Sequence, residues 1–180
     1  MVQNGAMEVQ GDSVVLRPWR IDDVPAVVAA CRDAEIERWL ALVPQPYTED
    51  HARLYIEECI DAPEDRLPFA ITDARTGAVI GSIDMRVNRL LTGHIGYWVA
   101  AEARGRGVAP DALRAFSRWA FAELGLGRVE LVTDPDNIAS QRVAEKAGFQ
   151  REATLRSILA NRDGSRRDGV MFSLLPGDLD

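Results

Sequence analysis

The chain has 180 residues, 47% hydrophobic and 27% charged, which favours one soluble domain large enough to bury a core. Its formal net charge of −7 argues against a general nucleic-acid binder and suits a cationic partner such as an amine. No apolar run approaches the roughly 18 residues of a membrane span, and the first residues lack the pattern of a secretory signal. We therefore expect a cytoplasmic protein without nucleic-acid or membrane partners.

The first part of the chain is predicted to contain a leader, a strand and a group of helices. Residues 1–12 are interpreted as a loose N-terminal leader and residues 13–180 as a single domain. The stretch SVVLRPW at 13–19 predicts the first strand. Aspartate, threonine and proline in capping positions then predict helical segments at 22–33, 34–40 and 49–60.

The second part begins with the two-residue period of strands. Strands are predicted at 67–73, 78–88 and 94–100. The next elements are a helix at 108–124, a strand at 127–134 and a helix at 137–148. The chain closes with a hairpin around the turn RDGS. Because helices connect the strands, this order predicts an α/β fold with a mixed sheet covered by helices.

The segment ARGRGVAPDALR at 103–114 places glycines and arginines between a predicted strand and a predicted helix. Helix N-termini bind anions through free N–H groups, glycine allows close approach, and arginine adds charge. Arg104–Ala109 is therefore suited to a diphosphate, although a solvated loop explains the same residues. A P-loop is excluded because it needs a lysine here, and a dinucleotide fingerprint is disfavoured because Pro110 replaces its third glycine.

A second segment, DPDNIASQRVAEKAGF at 134–149, opens a helix with Asn137 and Ser140 on one face. Ala144 and Ala147 continue this face with small side chains, against which a thin ligand can lie. Taken singly, the asparagine is also explained as an N-cap and the serine as an ordinary first-turn residue.

Metal-ligating side chains are few. Cys31 and Cys59 are the only cysteines, they form no C-x-x-C pair, and His51 and His94 do not cluster with them. A zinc site is therefore disfavoured, and a reducing compartment disfavours a disulfide. We predict two free, half-buried thiols and no metal.

The two segments together carry a resemblance to a known family. RGRGVA is similar to the acyl-CoA signature Q/R-x-x-G-x-G/A of the GNAT acetyltransferase superfamily, with Arg104, Gly107 and Ala109 at its defined positions. IGYWV and NIASQRVAEKAGF resemble the branch of ribosomal-protein N-terminal acetyltransferases of the RimJ/RimL type. The similarity extends over about residues 13–178.

This resemblance implies a mostly antiparallel sheet that is splayed in a V, with helices on both faces and acetyl-CoA in the V as cosubstrate. The pantetheine arm is expected to pair with the backbone at Trp98, Val99 and Ala100 and to contact Asn137. The diphosphate is expected on the N–H groups of Arg104, Gly105, Arg106, Gly107, Val108 and Ala109. No metal and no acyl-enzyme are implied.

The implied reaction is transfer of an acetyl group to a primary amine. Ser140 is expected near the thioester sulfur, where it protonates the leaving thiolate, because the helix at 137–149 has no tyrosine for this role. Relatives often carry glutamate where this chain has His94, whose imidazole could accept the amine proton. Asp84, Glu102 and water are the alternatives for this base.

The acceptor amine is left open between a protein N-terminus and a small molecule such as an antibiotic, an amino acid or a polyamine. A CoA-binding sensor module without chemistry is the alternative from a different functional class. The active protein is expected to be a monomer or a homodimer.

Overall fold

The structure, a computed structural model, describes residues 7–179. This part of the chain forms an eight-stranded sheet with the spatial order β1-β2-β3-β4-β5-β6-β8-β7. The strands are β1 (Val9–Gln10), β2 (Val14–Arg17), β3 (Arg66–Asp73), β4 (Val79–Val87), β5 (Thr92–Val99), β6 (Arg128–Thr133), β7 (Gln150–Ala160) and β8 (Arg166–Leu174). The helices are α1 (Val24–Cys31), α2 (Ala34–Trp39), α3 (Glu49–Ile60), α4 (Val108–Leu124) and α5 (Ile138–Lys146). The predicted α/β class is confirmed.

Local capping explains where the helices begin and end. The Thr48 hydroxyl accepts the N–H of His51 at the start of α3, and the Asn137 side chain accepts the N–H of Ser140 at the start of α5. Gly125 ends α4 in the left-handed region, with φ of 64°. The predicted bounds of α3 and α4 are confirmed because these signals lie within a few residues of the helix ends.

Helices cover both faces of the sheet because the strands carry apolar side chains on both sides. On β3, Phe69 and Ile71 belong to a core shared with α4 and α5, and Ala70 belongs to a second core beneath α1, α2 and α3. The rings of Phe69 and Phe116 meet edge to face, with centroids 5.3 Å apart. The helices therefore hold the sheet in place from two sides.

The sheet opens between β5 and β6, which form its parallel pair. Pairing is restricted to Thr92 with Arg128, Gly93 with Val129 and His94 with Glu130. Beyond these pairs no ladder joins the two strands, which α4 connects along the chain. This opening is the V that the resemblance implied.

The N-terminal segment is ordered from Val9 onward. Val9–Gln10 pairs with β2, and the N–H groups of Asp12 and Ser13 donate to the Asp111 carboxylate on α4. The predicted loose leader therefore does not include residues 9–12, while its residues 1–6 lie outside the part of the chain that the structure describes. No helix within residues 7–179 is long and apolar enough to cross a membrane.

Candidate functional site

A cleft of about 660 Å³ lies where β5 and β6 separate. This is within the usual range for small-molecule sites. Its walls come from β5, β6, the loop before α4, the first turn of α4, and α5, and residues of α2 and of the β7–β8 hairpin complete the lining. The predicted cofactor residues that line it are Trp98, Val99, Arg104, Gly105, Gly107, Val108, Ala109, Asn137 and Ser140. The cleft therefore brings together most of the residues that the two sequence segments singled out.

The backbone groups that β5 presents to the cleft differ from the predicted ones. The N–H of Ala100 donates to the Ile80 carbonyl on β4, so it is not free to meet a ligand in the cleft. Alternation along an antiparallel ladder directs the backbone groups of Trp98 toward β4 as well, and those of Tyr97 and Val99 toward the gap. The backbone groups of Tyr97 and Val99, and not those of the predicted Trp98 and Ala100, are therefore the ones that face the gap.

The loop before α4 presents backbone donors to the cleft. Gly105 and Gly107 have φ of 74° and 81°, a conformation that glycine adopts without strain. Among residues 7–179, no backbone carbonyl accepts from the N–H groups of residues 105–109. Because Pro110 has no N–H, these groups are the donors at this end of the 17-residue helix α4.

The side chains of Arg104 and Arg106 are already held by carboxylates. The Arg104 guanidinium lies 2.5 Å from the Asp33 carboxylate, and this ion pair lowers the pKa of the Asp33 carboxyl. Arg104 also donates to the Val99 carbonyl at 3.1 Å. The Arg106 guanidinium lies 3.3 Å from Asp73 and outside the cleft lining. The loop thus contributes mainly neutral N–H donors to the site.

A hydroxyl pair lies in the floor of the cleft. The Tyr97 hydroxyl and the Ser140 Oγ are 3.0 Å apart, and burial raises the pKa of Tyr97 to about 12. Tyr97 was missed in the sequence because it lies on a strand, 43 residues before its partner. The alternation of IGYWV, which places Tyr97 on the same face as Ile95 and Val99, was the available signal.

His94 lies at the closed end of the V, outside the cleft lining. Its Nδ1 is 3.7 Å from the Glu130 carboxylate, and half of its side chain is exposed. The next residue on the same face is Gly96, where an added Cβ would meet nothing within 4 Å. An open space therefore separates His94 from Trp98 along this face.

The two alternative bases are placed differently. Asp84 on β4 forms a 2.7 Å ion pair with Arg66 through Oδ2, while its buried Oδ1 has no hydrogen-bond partner within residues 7–179. Glu102 is exposed in a short turn, Ala101–Ala103, between β5 and the glycine loop. Neither residue lines the cleft.

Metal-ligating groups do not gather in the described chain. Residues 7–179 contain no group of three or more His, Cys, Asp or Glu residues arranged for a metal. Cys31 and Cys59 are free and buried, and burial raises the pKa of each thiol to about 11. These thiols are more deeply buried than the sequence predicted, and they remain protonated at neutral pH.

Comparison with known proteins assigns this arrangement to a family. Residues 13–150 match the model described as an acetyltransferase (GNAT) domain. The chain belongs to the GNAT acetyltransferase family. The resemblance found in the glycine loop and in the helix that begins at Asn137 is thereby confirmed.

Individual GNAT relatives agree with this assignment. YjcK of Bacillus subtilis, named a probable N-acetyltransferase, is 30% identical over 156 residues, which cover 82% of this chain and 86% of YjcK. RimJ of Mycobacterium smegmatis, solved with CoA-disulfide, is 25% identical with a TM-score of 0.81, covering 99% of this chain and 92% of RimJ. The self-immunity acetyltransferase MccE, solved with acetyl-CoA and AMP, shares the fold at 18% identity and a TM-score of 0.80. The match covers 91% of this chain and 93% of MccE.

Proposed function

We propose that this GNAT enzyme transfers the acetyl group of acetyl-CoA to the primary amine of a protein N-terminus. The observation that carries the proposal is the gap between β5 and β6, where unpaired backbone donors and a hydroxyl pair face one cleft. The CoA-disulfide bound to RimJ and the acetyl-CoA bound to MccE support the choice of donor.

Acetyl-CoA fits the donors that the cleft offers. The diphosphate accepts from the N–H groups of residues 105–109, where the α4 dipole also favours negative charge. The amide groups of the pantetheine arm pair with the outward backbone groups of Tyr97 and Val99. The Asn137 side-chain oxygen already accepts the N–H of Ser140, so its NH2 group is the part that donates to the arm.

The transfer is a direct displacement at the thioester. The amine nitrogen attacks the carbonyl carbon, a C–N bond forms, and the C–S bond breaks with release of the CoA thiolate. A backbone N–H on the free edge of β5 donates to the oxyanion of the tetrahedral intermediate. Ser140 gives its O–H proton to the leaving sulfur and regains a proton through water, which balances the one that the attacking nitrogen loses as the amide forms. Tyr97, which stays protonated at neutral pH, donates a hydrogen bond to the Ser140 oxygen.

The amine must lose a proton before it attacks, because most primary amines are protonated at pH 7. His94 is the candidate base, and the open space beside Gly96 gives an acceptor or a water molecule access to its face of β5. The acceptor enters between α2 and the β7–β8 hairpin, where Trp39, Leu40 and Leu159 form an apolar wall. Such a wall suits the first side chain of a peptide, and a small amine is the alternative acceptor.

Two measurements test the function. Acetyl-CoA should raise the melting temperature by mass action, whereas NAD and ATP should raise it much less. Release of free thiol from acetyl-CoA is then followed with a panel of peptides and small amines. Equal stabilisation by NAD would refute the choice of donor, and stabilisation by acetyl-CoA without thiol release on any amine would identify a CoA-binding module.

A further inference from the structure

Four basic side chains line the cleft, and they differ in their partners. Arg104 and Arg167 each lie 2.5 Å from a carboxylate. Arg142 and Lys146 lie one turn apart on α5, and both are exposed. Within residues 7–179, no carboxylate oxygen lies within 4.0 Å of either cationic group. The positively charged side chains of the cleft that have no carboxylate partner, and so remain available to an anion, are therefore on α5.

The two cations lie close to the start of α4. The Arg114 guanidinium on α4 donates to the Lys146 carbonyl at 3.0 Å, which joins the end of α5 to α4. The first turn of α4, Val108–Pro110, lines the same cleft. Like charges four residues apart on a helix repel each other and destabilise it, and a bound anion would remove this repulsion.

We propose that Arg142 and Lys146 bind the 3′-phosphate of the adenosine part of acetyl-CoA. The inference rests on the proposed function, because it assumes that CoA occupies the cleft. Coenzyme A carries two phosphate groups of different kinds. The diphosphate is matched by the neutral N–H donors before α4, whereas the 3′-phosphate is a terminal dianion that needs charged donors.

The charge of the whole protein also favours such a pair. With a net charge of −7, the chain repels a dianion over long range unless cations stand beside it. Lys146 is the only lysine among 21 basic residues, and its ammonium on a flexible stem can follow a phosphate at the surface. The pair would therefore favour acetyl-CoA over its analogue without the 3′-phosphate.

The test compares two ligands, acetyl-CoA and acetyl-3′-dephospho-CoA, by calorimetric titration at low salt. The parent should bind acetyl-CoA about tenfold more tightly, as expected for the gain of two exposed ion pairs. In the double variant Arg142→Gln, Lys146→Gln this ratio should fall to about one, while the affinity for the dephospho ligand stays within about twofold. Raising the salt concentration should lower the ratio in the parent alone.

Arg118→Gln is the matched control, because it removes one charge from an exposed position of α4 that faces a different groove. Glutamine has a helix propensity close to that of lysine and arginine, so the variants should keep the parent melting temperature. Equal affinities of the parent for the two ligands would overturn the inference. Equal weakening of both ligands in the double variant would also overturn it, since the cations would then hold the diphosphate. If the parent binds neither ligand, the proposed function itself fails.

Discussion

The contact between the Tyr97 hydroxyl and the Ser140 Oγ determines where the serine proton can point. Because burial keeps Tyr97 protonated, its O–H can donate to the serine oxygen over the whole neutral range. The serine O–H is then free to donate toward the cleft. If the serine donates to the tyrosine instead, the Tyr97 O–H is the one left to donate into the cleft, so the direction of this bond decides which hydroxyl can serve the sulfur.

Replacing Ser140 by alanine should lower kcat by roughly 10²-fold, as for loss of a positioned acid, and leave the Kd of acetyl-CoA nearly unchanged. Tyr97→Phe should lower kcat less, because the serine hydroxyl remains. Steady-state kinetics and calorimetry with the same acceptor give both values. A Ser140→Ala rate within about twofold of the parent would show that this hydroxyl serves only its own helix.

His94 is the second residue whose role can be isolated. If it accepts the amine proton, activity should rise as the pH is raised from acid toward neutral, because only a neutral imidazole can accept a proton. His94→Gln should remove this rise and lower the rate at neutral pH, and His94→Glu should restore part of the rate. The measurement is the pH–rate profile of all three proteins at saturating acetyl-CoA. An unchanged rise in His94→Gln would assign the base to another group or to the substrate amine.

At the scale of elements, the ion pair between Arg104 and Asp33 joins two parts of the cleft. Asp33 caps α2 through the N–H of Ile36, and α2 supplies Ile36 and Trp39 to the cleft wall. Arg104 begins the loop that is proposed to bind the diphosphate. The position of the proposed acceptor wall is therefore linked to the proposed donor loop.

Arg104→Ala should raise the KM of the acceptor more than the Kd of acetyl-CoA, because its guanidinium holds Asp33 rather than the ligand site. Asp33→Asn should act in the same direction, since asparagine still caps a helix but has no charge. Arg53→Ala, which breaks an exposed ion pair with Glu49 on α3, is the control. A loss of acetyl-CoA affinity alone would instead support the sequence prediction that Arg104 binds the diphosphate.

The elements also show which features a sequence can predict. The caps at Thr48 and Asn137 were predictable because each lies within three residues of the N–H that it accepts. The Arg104 pair was not predictable, since its partner is 71 residues away. The position of His94 outside the cleft follows from the register of β5 with β6, which no local pattern encodes.

At the scale of the whole molecule, Asp111 connects the N-terminal strands to the central helix. Its carboxylate accepts the N–H groups of Asp12 and Ser13 and the Ser13 hydroxyl. Burial alone would raise the pKa of Asp111, but these hydrogen bonds hold it below its usual range. The ionised carboxylate is therefore part of what fixes β1 and β2 against α4.

The Asp111 contact should make the fold sensitive to acid. Because its pKa is lower in the folded state, its contribution is fully present at neutral pH and is lost as the pH falls through the folded pKa. Asp111→Asn should reduce the free energy of unfolding by about 1–3 kcal/mol at pH 7. The difference from the parent should shrink in acid.

Urea unfolding at several pH values measures this difference. Asp61→Asn, at an exposed carboxyl just after α3, is the control and should change the free energy of unfolding very little. A constant gap between Asp111→Asn and the parent at every pH would mean that the carboxylate charge contributes nothing.

The unpaired edge of β5 also has a consequence for the exchange of amide hydrogens with solvent. Tyr97 and Val99 lie in a strand, yet their outward N–H groups have no ladder partner across the gap, so deuterium should replace these hydrogens quickly in the free enzyme. An acyl-CoA arm that accepts from these groups acts as a temporary neighbouring strand. Binding of acyl-CoA should slow deuterium exchange on β5 and on residues 105–109 together. Release of CoA should restore fast exchange at both places.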